Sequence, residues 1–257
     1  MSLVELTREG PVALVKLNRP PVNALNEEMG KDLLSAFTEC QDPALRAVVV
    51  TGQPTFAVGA DIKGFQAQID SGATKDEIAG SLVVAIGVLE KLDKPTIAAV
   101  HGFALGGGLE LAMGADFRYL ADDSRVGQPE ILLGLIPGAG GTQRLPRLVG
   151  YQKAKEVVMS GRQVGASEAL ELGLADKVAP DDELLELAME DAASWASRAP
   201  LALAEAKRLF RETGVSGDFD ADMAREAAAF QRLFVTSDGR EGVAAFVEKR
   251  EAHFTGQ

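Results

Sequence analysis

Two carboxylates and a run of three glycines are the residues of this sequence best suited to chemistry. Gly106-Gly107-Gly108 stands between an apolar, β-branched stretch, Thr96-Ile-Ala-Ala-Val100, and a helical one, Leu109-Glu-Leu-Ala-Met113. A helix beginning there presents unpaired backbone N–H groups and the positive end of its dipole. Glycines let a ligand approach that backbone with no side chain in the way. Such a turn suits a carbonyl oxygen gaining negative charge; a turn needed only for strand–helix packing reads the same three residues without chemistry. Glu110 falls in the first turn of this helix, either as a surface charge complementing the dipole or as an acid–base group. Glu130, in Gly127-Gln-Pro-Glu-Ile-Leu-Leu-Gly134, follows a proline and leads an apolar stretch, an unusual place for a solvated charge. Together they supply a general acid and a general base without histidine, although spacing alone does not bring them together. Phe56-Ala-Val-Gly-Ala-Asp-Ile-Lys63 offers either a second backbone donor facing the glycine turn or an ordinary loop.

Other chemistries fail on spacing or on residue type. A dinucleotide fingerprint starting at Gly106 or Gly138 needs its last glycine where Leu111 or Gln143 stands, and no phosphate-binding G-x-x-x-x-G-K-[ST] exists. No G-x-S-x-G elbow is present. The single cysteine, Cys40, excludes an internal disulfide and a cysteine-based zinc site, and reads as a packing residue. With only His101 and His253, a multi-histidine metal site is excluded as well. His101 reads as a strand-end residue orienting its loop, and His253 as surface or interface.

The elements that must position these residues follow from periodicity. Val4, Leu6, Val12, Leu14 and Leu17 alternate around a Gly10-Pro11 turn as a hairpin. Asn26 caps a helix with Met29, Leu33, Leu34 and Phe37 on one face. Residues 46–51 and 96–100 read as buried strands, 116–121 and 125–127 as further strands. Thr74 and Glu77 form a capping-box pattern opening a helix to about Lys91, and helices fill most of the remainder. Trp195, Leu184, Leu187 and Ala188 read as helix packing, and Glu183, Glu186 and Glu190 as solvated surface. The expectation is an α/β core over residues 1–199 and a helical appendage over 200–257, divided at Ala199-Pro200.

Composition narrows the class. The 257 residues carry 26 basic and 38 acidic side chains, a net charge of −12, which opposes general nucleic-acid binding. No apolar run approaches the roughly 20 residues of a membrane helix, and the N-terminus lacks a secretory apolar segment. A reducing, cytoplasmic setting without membrane or nucleic-acid partners is expected.

Taken in order, four segments resemble the crotonase (enoyl-CoA hydratase/isomerase) family. They are Phe56-Ala-Val-Gly-Ala-Asp-Ile-Lys63, residues 94–110 through the glycine turn, Gly127-Gln-Pro-Glu130, and Gly134-Leu-Ile-Pro-Gly-Ala-Gly-Gly-Thr-Gln-Arg-Leu-Pro146. The resemblance spans nearly the whole chain, from Leu17 to Arg250. It implies a spiral of ββα units with a C-terminal helical region that builds trimers, often stacked as hexamers. It also implies that the N–H groups of Ala60 and Gly107 form an oxyanion hole for a thioester carbonyl. Glu110 and Glu130 match the two glutamates of the hydratase subgroup, with Glu110 the water-orienting base and Glu130 the proton donor. Asp61, Ile62 and Lys63 would lie along the coenzyme A arm, and Gly138 in the turn lining the pocket. No separate cofactor is implied, because coenzyme A enters as part of the substrate. The expected reaction is syn addition of water to a trans-2-enoyl-CoA, in fatty-acid β-oxidation. The rivals are a Δ3,Δ2-enoyl-CoA isomerase, which needs chiefly one carboxylate, and a non-catalytic RNA-binding or scaffold relative.

Overall fold

The computed structural model describes residues 2–62, 64, 70, 72, 80–213 and 217–257. The expected hairpin opens the chain: β1 (Val4–Glu9) pairs antiparallel with β2 (Val12–Leu17). Helix α1 (Glu27–Glu39) starts where Asn26 Oδ1 accepts from Met29 N–H at 2.9 Å, and it buries Met29, Leu33 and Phe37. Strand β3 (Ala47–Gly52) is buried along its whole length, as is β4 (Thr96–Val100). Both faces of the sheet are covered, so these strands read as continuous apolar runs rather than alternating ones. Helix α2 (Ser81–Glu90) lies between them in sequence. The capping box expected at Thr74 and Glu77 lies outside the described residues.

After β4 the chain differs from the sequence reading. A three-residue strand, β5 (Phe103–Leu105), separates β4 from the glycine turn, and helix α3 (Gly107–Gly114) follows. The next turn of the spiral repeats the pattern with β6 (Phe117–Ala121), β7 (Arg125–Gly127) and a 3-10 turn over Pro129–Leu133. Helices α4 (Gly141–Val149) and α5 (Tyr151–Ser160) come next, then β8 (Gln163–Gly165), α6 (Ala166–Glu171), β9 (Lys177–Ala179) and α7 (Asp181–Ala196). Helices α8 (Pro200–Glu212), α9 (Phe219–Phe234) and α10 (Ser237–Glu248) end the chain. Strands β8 and β9 fall in the stretch read as mostly helical, where no strand was singled out; three residues are too few to show a period, and pairing with distant strands decides them.

Among the described residues the strands form two sheets. One is six-stranded in the order β1-β2-β3-β4-β6-β9, parallel beyond the first hairpin; the other is β5-β7-β8. The pairs β4–β5 and β6–β7 each lay one strand in the large sheet and one in the small. Val48, Val50, Ala98 and Val100 face the core shared with α1, α2 and α3, while Val49, Ile97, Ala99 and Tyr119 pack under Leu184, Ala188 and Ala192 of α7. Trp195 stacks at 4.5 Å on Phe117, confirming its packing role. Cys40 is buried, and burial pushes its thiol up to about 11, as befits an inert packing residue. No helix of the described residues is long and apolar enough to cross a membrane.

Candidate active site

The loop after β3 runs beside β5, and this pairing builds one half of the site. Ala57 N–H donates to Phe103 O at 2.9 Å, and Leu105 N–H donates to Ala57 O at 3.0 Å. Both segments then turn at glycines with positive φ, Gly59 at +89° and Gly106 at +52°. A Cβ on Gly59 would lie 2.9 Å from Leu105 O, and one on Gly108 would overlap the Ala57 carbonyl. The glycines are what let the two loops touch.

That contact leaves two donors at the same place. Leu25 N–H donates to Gly59 O at 2.7 Å, and Asp61 N–H donates to Leu25 O at 2.8 Å. Leu25 thus takes both groups flanking Ala60, so the N–H of Ala60 itself turns to the opposite side. Gly107 is the first residue of α3, where an N–H has no intrahelical acceptor. Among the described residues, neither N–H has a protein partner.

The two carboxylates converge on the same turn. Glu110 is 2% exposed, on the first turn of α3, and its Oε2 would stand 4.0 Å from a Cβ on Gly107. Its other oxygen, Oε1, accepts from Ala139 N–H and Gly141 N–H, each at 2.7 Å. Burial pushes this carboxyl up, while the N–H groups of Gly141 and Ala139 and the charge of Arg144 pull it down. Glu130, half-buried on the 3-10 turn, reaches over Gly106, where a Cβ would meet its Oε1 at 2.9 Å. Burial and the neighbouring Glu110 charge hold Glu130 up to about 7, against the pull of its own N–H. The two glutamates therefore differ in kind: one is gripped by backbone donors, the other is poised to carry a proton at neutral pH.

Two contributors went unassigned in the sequence reading. Gln128 is fully buried, and with its amide nitrogen turned toward Glu130 it stands 3.0 and 3.2 Å from the carboxylate oxygens. Arg144, on α4, lies behind the Ala139–Gly141 turn. Both fall within quoted motifs, but nothing in their spacing marks them.

Of the other expected residues, Asp61 and Ile62 wall a cavity of about 400 Å³ that opens beside Ala60 and is also lined by Arg19, Pro21 and Val22. Asp61 pairs there with Arg19 at 2.6 Å. Lys63 lies outside the described residues. Gly138 is exposed, with open space where a Cβ would sit, next to the turn that grips Glu110. A larger cavity, about 860 Å³, opens between α8 and the core near Met113, Lys207 and Phe210, and neither carboxylate lines it. Neither carboxylate lines the smaller one either; of the residues expected at the site it takes in Ala60, Asp61 and Ile62. His101 is buried away from the pair, its Nδ1–H donating to Asp181 at the start of α7 at 2.7 Å, and His253 is exposed.

A family model described as enoyl-CoA hydratase/isomerase matches residues 7–257. A short-chain-enoyl-CoA hydratase of Clostridium acetobutylicum is 42% identical over 96% of this chain and 95% of its own. The mitochondrial enoyl-CoA hydratase of Pongo abelii is 40% identical over 97% of this chain and 86% of its own. Among solved structures, the enoyl-CoA hydratase of Bacillus anthracis superposes with a TM-score of 0.91 at 35% identity, covering 99% of this chain and 100% of that one. Fold, ordered motifs and full-length similarity agree, and the chain belongs to the enoyl-CoA hydratase/isomerase (crotonase) family.

Proposed function

We propose that this protein is an enoyl-CoA hydratase that adds water syn across the double bond of a trans-2-enoyl-CoA to give the 3-hydroxyacyl-CoA. The observation that carries the reading is the convergence of Glu110 and Glu130 over Gly106 and Gly107, beside two backbone N–H groups that have no partner among the described residues. The thioester oxygen accepts from Ala60 N–H and Gly107 N–H, which stabilise it as it becomes enolate-like. The coenzyme A arm follows the cavity along Ala60, Asp61 and Ile62, with Lys63 and Gly138 as further contacts. Glu110, its Oε1 already gripped, uses Oε2 to orient water and take its proton as oxygen bonds to C3. Glu130, poised near neutrality, gives a proton to C2. The pair exchanges these protons as a unit, and no separate cofactor takes part.

The full-length similarity to proteins named enoyl-CoA hydratase supports this reaction, and a cytoplasmic place in fatty-acid β-oxidation is consistent with it. We further propose that residues 200–257 serve as the oligomerisation region of a trimer or hexamer. Loss of the conjugated-thioester absorbance of crotonyl-CoA, measured beside isomerisation of a 3-enoyl-CoA, tests the reaction. Hydration should exceed isomerisation; isomerisation with negligible hydration would replace the hydratase by the isomerase reading. No turnover of either would favour the scaffold reading.

A further inference from the structure

The glycine-rich segment after Glu130 contains one charged side chain that neither the oxyanion hole nor the acid–base pair uses. Arg144 lies one turn into α4 and folds back across Gly140, whose φ is +107°. A Cβ at Gly140 would overlap the guanidinium, so glycine is required there for Arg144 to reach inward. Arg144 Nη1 donates to Ala139 O at 2.8 Å, and Nη2 donates to Glu90 Oε2 at 2.7 Å. The side chain is mostly buried, and among the described residues its Nε–H is buried without an acceptor. It occupies this position although one donor goes unmet.

The residue it holds is the one that holds the catalytic carboxylate. Ala139 presents its carbonyl to Arg144, while its N–H, with that of Gly141, is aimed at Glu110 Oε1. We propose that Arg144 is a positioning residue for Glu110: anchored on Glu90 of α2, it fixes the Ala139–Gly141 turn so that both N–H groups grip Oε1. Oε2 is thereby left as the oxygen that faces Gly107. This inference rests on Glu110 being the water-orienting base of the proposed hydration.

The charges around Glu110 pull its carboxyl in opposite directions. Arg144, from α4, pulls its carboxyl down together with the two N–H groups. Glu130, from the 3-10 turn, faces it as a like charge when ionised. Glu90, from α2, is turned to Arg144. Removing the guanidinium therefore loosens the grip and leaves the carboxyl harder to ionise.

Arg144→Met, Arg144→Lys and Glu90→Gln test this in crotonyl-CoA hydration, each checked by thermal unfolding and followed as kcat/KM against pH. Arg144→Met should lower kcat by about 10- to 100-fold with KM nearly unchanged, the effect of a displaced catalytic group held by an outer partner. Its acid limb should move to higher pH, because the base must lose a more tightly held proton. Arg144→Lys keeps the charge without the two-pronged grip, so its acid limb should return toward wild type while kcat stays reduced. Glu90→Gln should give a smaller loss in kcat. A folded Arg144→Met with wild-type kcat and an unmoved acid limb overturns the proposal, and so does a change confined to KM or to melting temperature. If Arg144→Met does not fold, Arg144→Lys and Glu90→Gln decide by kcat: a reduced kcat with KM nearly unchanged supports the proposal, and wild-type kcat in both overturns it. Glu110→Gln, run alongside, separates the two readings: full hydration by that variant removes Glu110 as the base, whatever Arg144 does.

Discussion

A carboxyl buried against Gly106 and facing a second glutamate resists ionisation, which is why Glu130 is held at about 7 against an ordinary 4.5. Between those two pH values the folded protein keeps a proton that the unfolded chain has lost. Glu130 therefore costs no stability below the lower value, an increasing amount as pH rises to the upper one, and a constant amount above it. Glu130→Gln should remove that cost, on the order of 1–3 kcal/mol at pH 8, and raise the melting temperature there but hardly at pH 5. The same variant should lose about 100- to 10,000-fold in hydration. Paired with Glu110→Gln it should lose far less than the product of the two, since the residues act together. Calorimetry at both pH values and a crotonyl-CoA assay check the two halves separately; equal melting temperatures of variant and wild type at pH 8 would mean that the fold does not hold this carboxyl up.

Gly107 poses the complementary question, because its proposed contribution is a backbone N–H. Gly107→Pro deletes the donor at a helix position where proline fits. A methyl in Gly107→Ala would meet the ends of Leu25 and Leu82 at 3.2 Å, side chains able to give way, and it keeps the donor. Turnover should fall from wild type to Ala to Pro, the last by about 100- to 1000-fold, with melting temperatures close together. A folded Pro variant at the wild-type rate would take Gly107 out of the oxyanion hole.

Helix α3 and the 56–60 loop matter as a pair, since each carries one of the two donors. Their spacing is set by Gly108, whose missing Cβ lets the start of α3 lie on the Ala57 carbonyl. Gly108→Ala should push these elements apart, costing about 1–3 kcal/mol as overpacking does, and should lower turnover although residue 108 supplies no group to the reaction. Gly138→Ala adds its methyl to open space and should leave stability unchanged. Denaturant midpoints for the two variants, measured together, check this; equal midpoints would mean that α3 is free to shift.

At the scale of the molecule, the C-terminal helices leave much apolar surface uncovered. No residue of α8 is fully buried, and Phe210, Phe219, Phe230, Phe234 and Phe246 are all exposed, Phe246 by 85%. Leu132 and Ile136, just beyond Glu130, are exposed as well. Patches on this scale are unusual on a monomer and mark association surfaces. Light scattering at micromolar concentration should give three or six times the 27.1 kDa of one chain. Phe246→Glu should shift that mass downward; a wild-type mass near 27.1 kDa would refute the assembly.

What could be read without the structure shares one property: it depends on residues close in sequence. Asn26 announces α1, the apolar runs at 46–51 and 96–100 announce doubly covered strands, and the ordered glycine and glutamate motifs carry the family resemblance. Strands β5, β8 and β9 gave no such signal, because their stability comes from partners far along the chain. The same holds within the site. Glu110 and Glu130 were visible as residue types, but the 2.7 Å grip of Ala139 and Gly141 on Glu110 exists only once α4 has closed against α3. Arg144 acquires its place from Glu90 and Ala139 in the same way. Side-chain type and local period are properties of the chain, whereas a distance between loops and the proton affinity of a carboxyl depend on what the closed spiral packs around them.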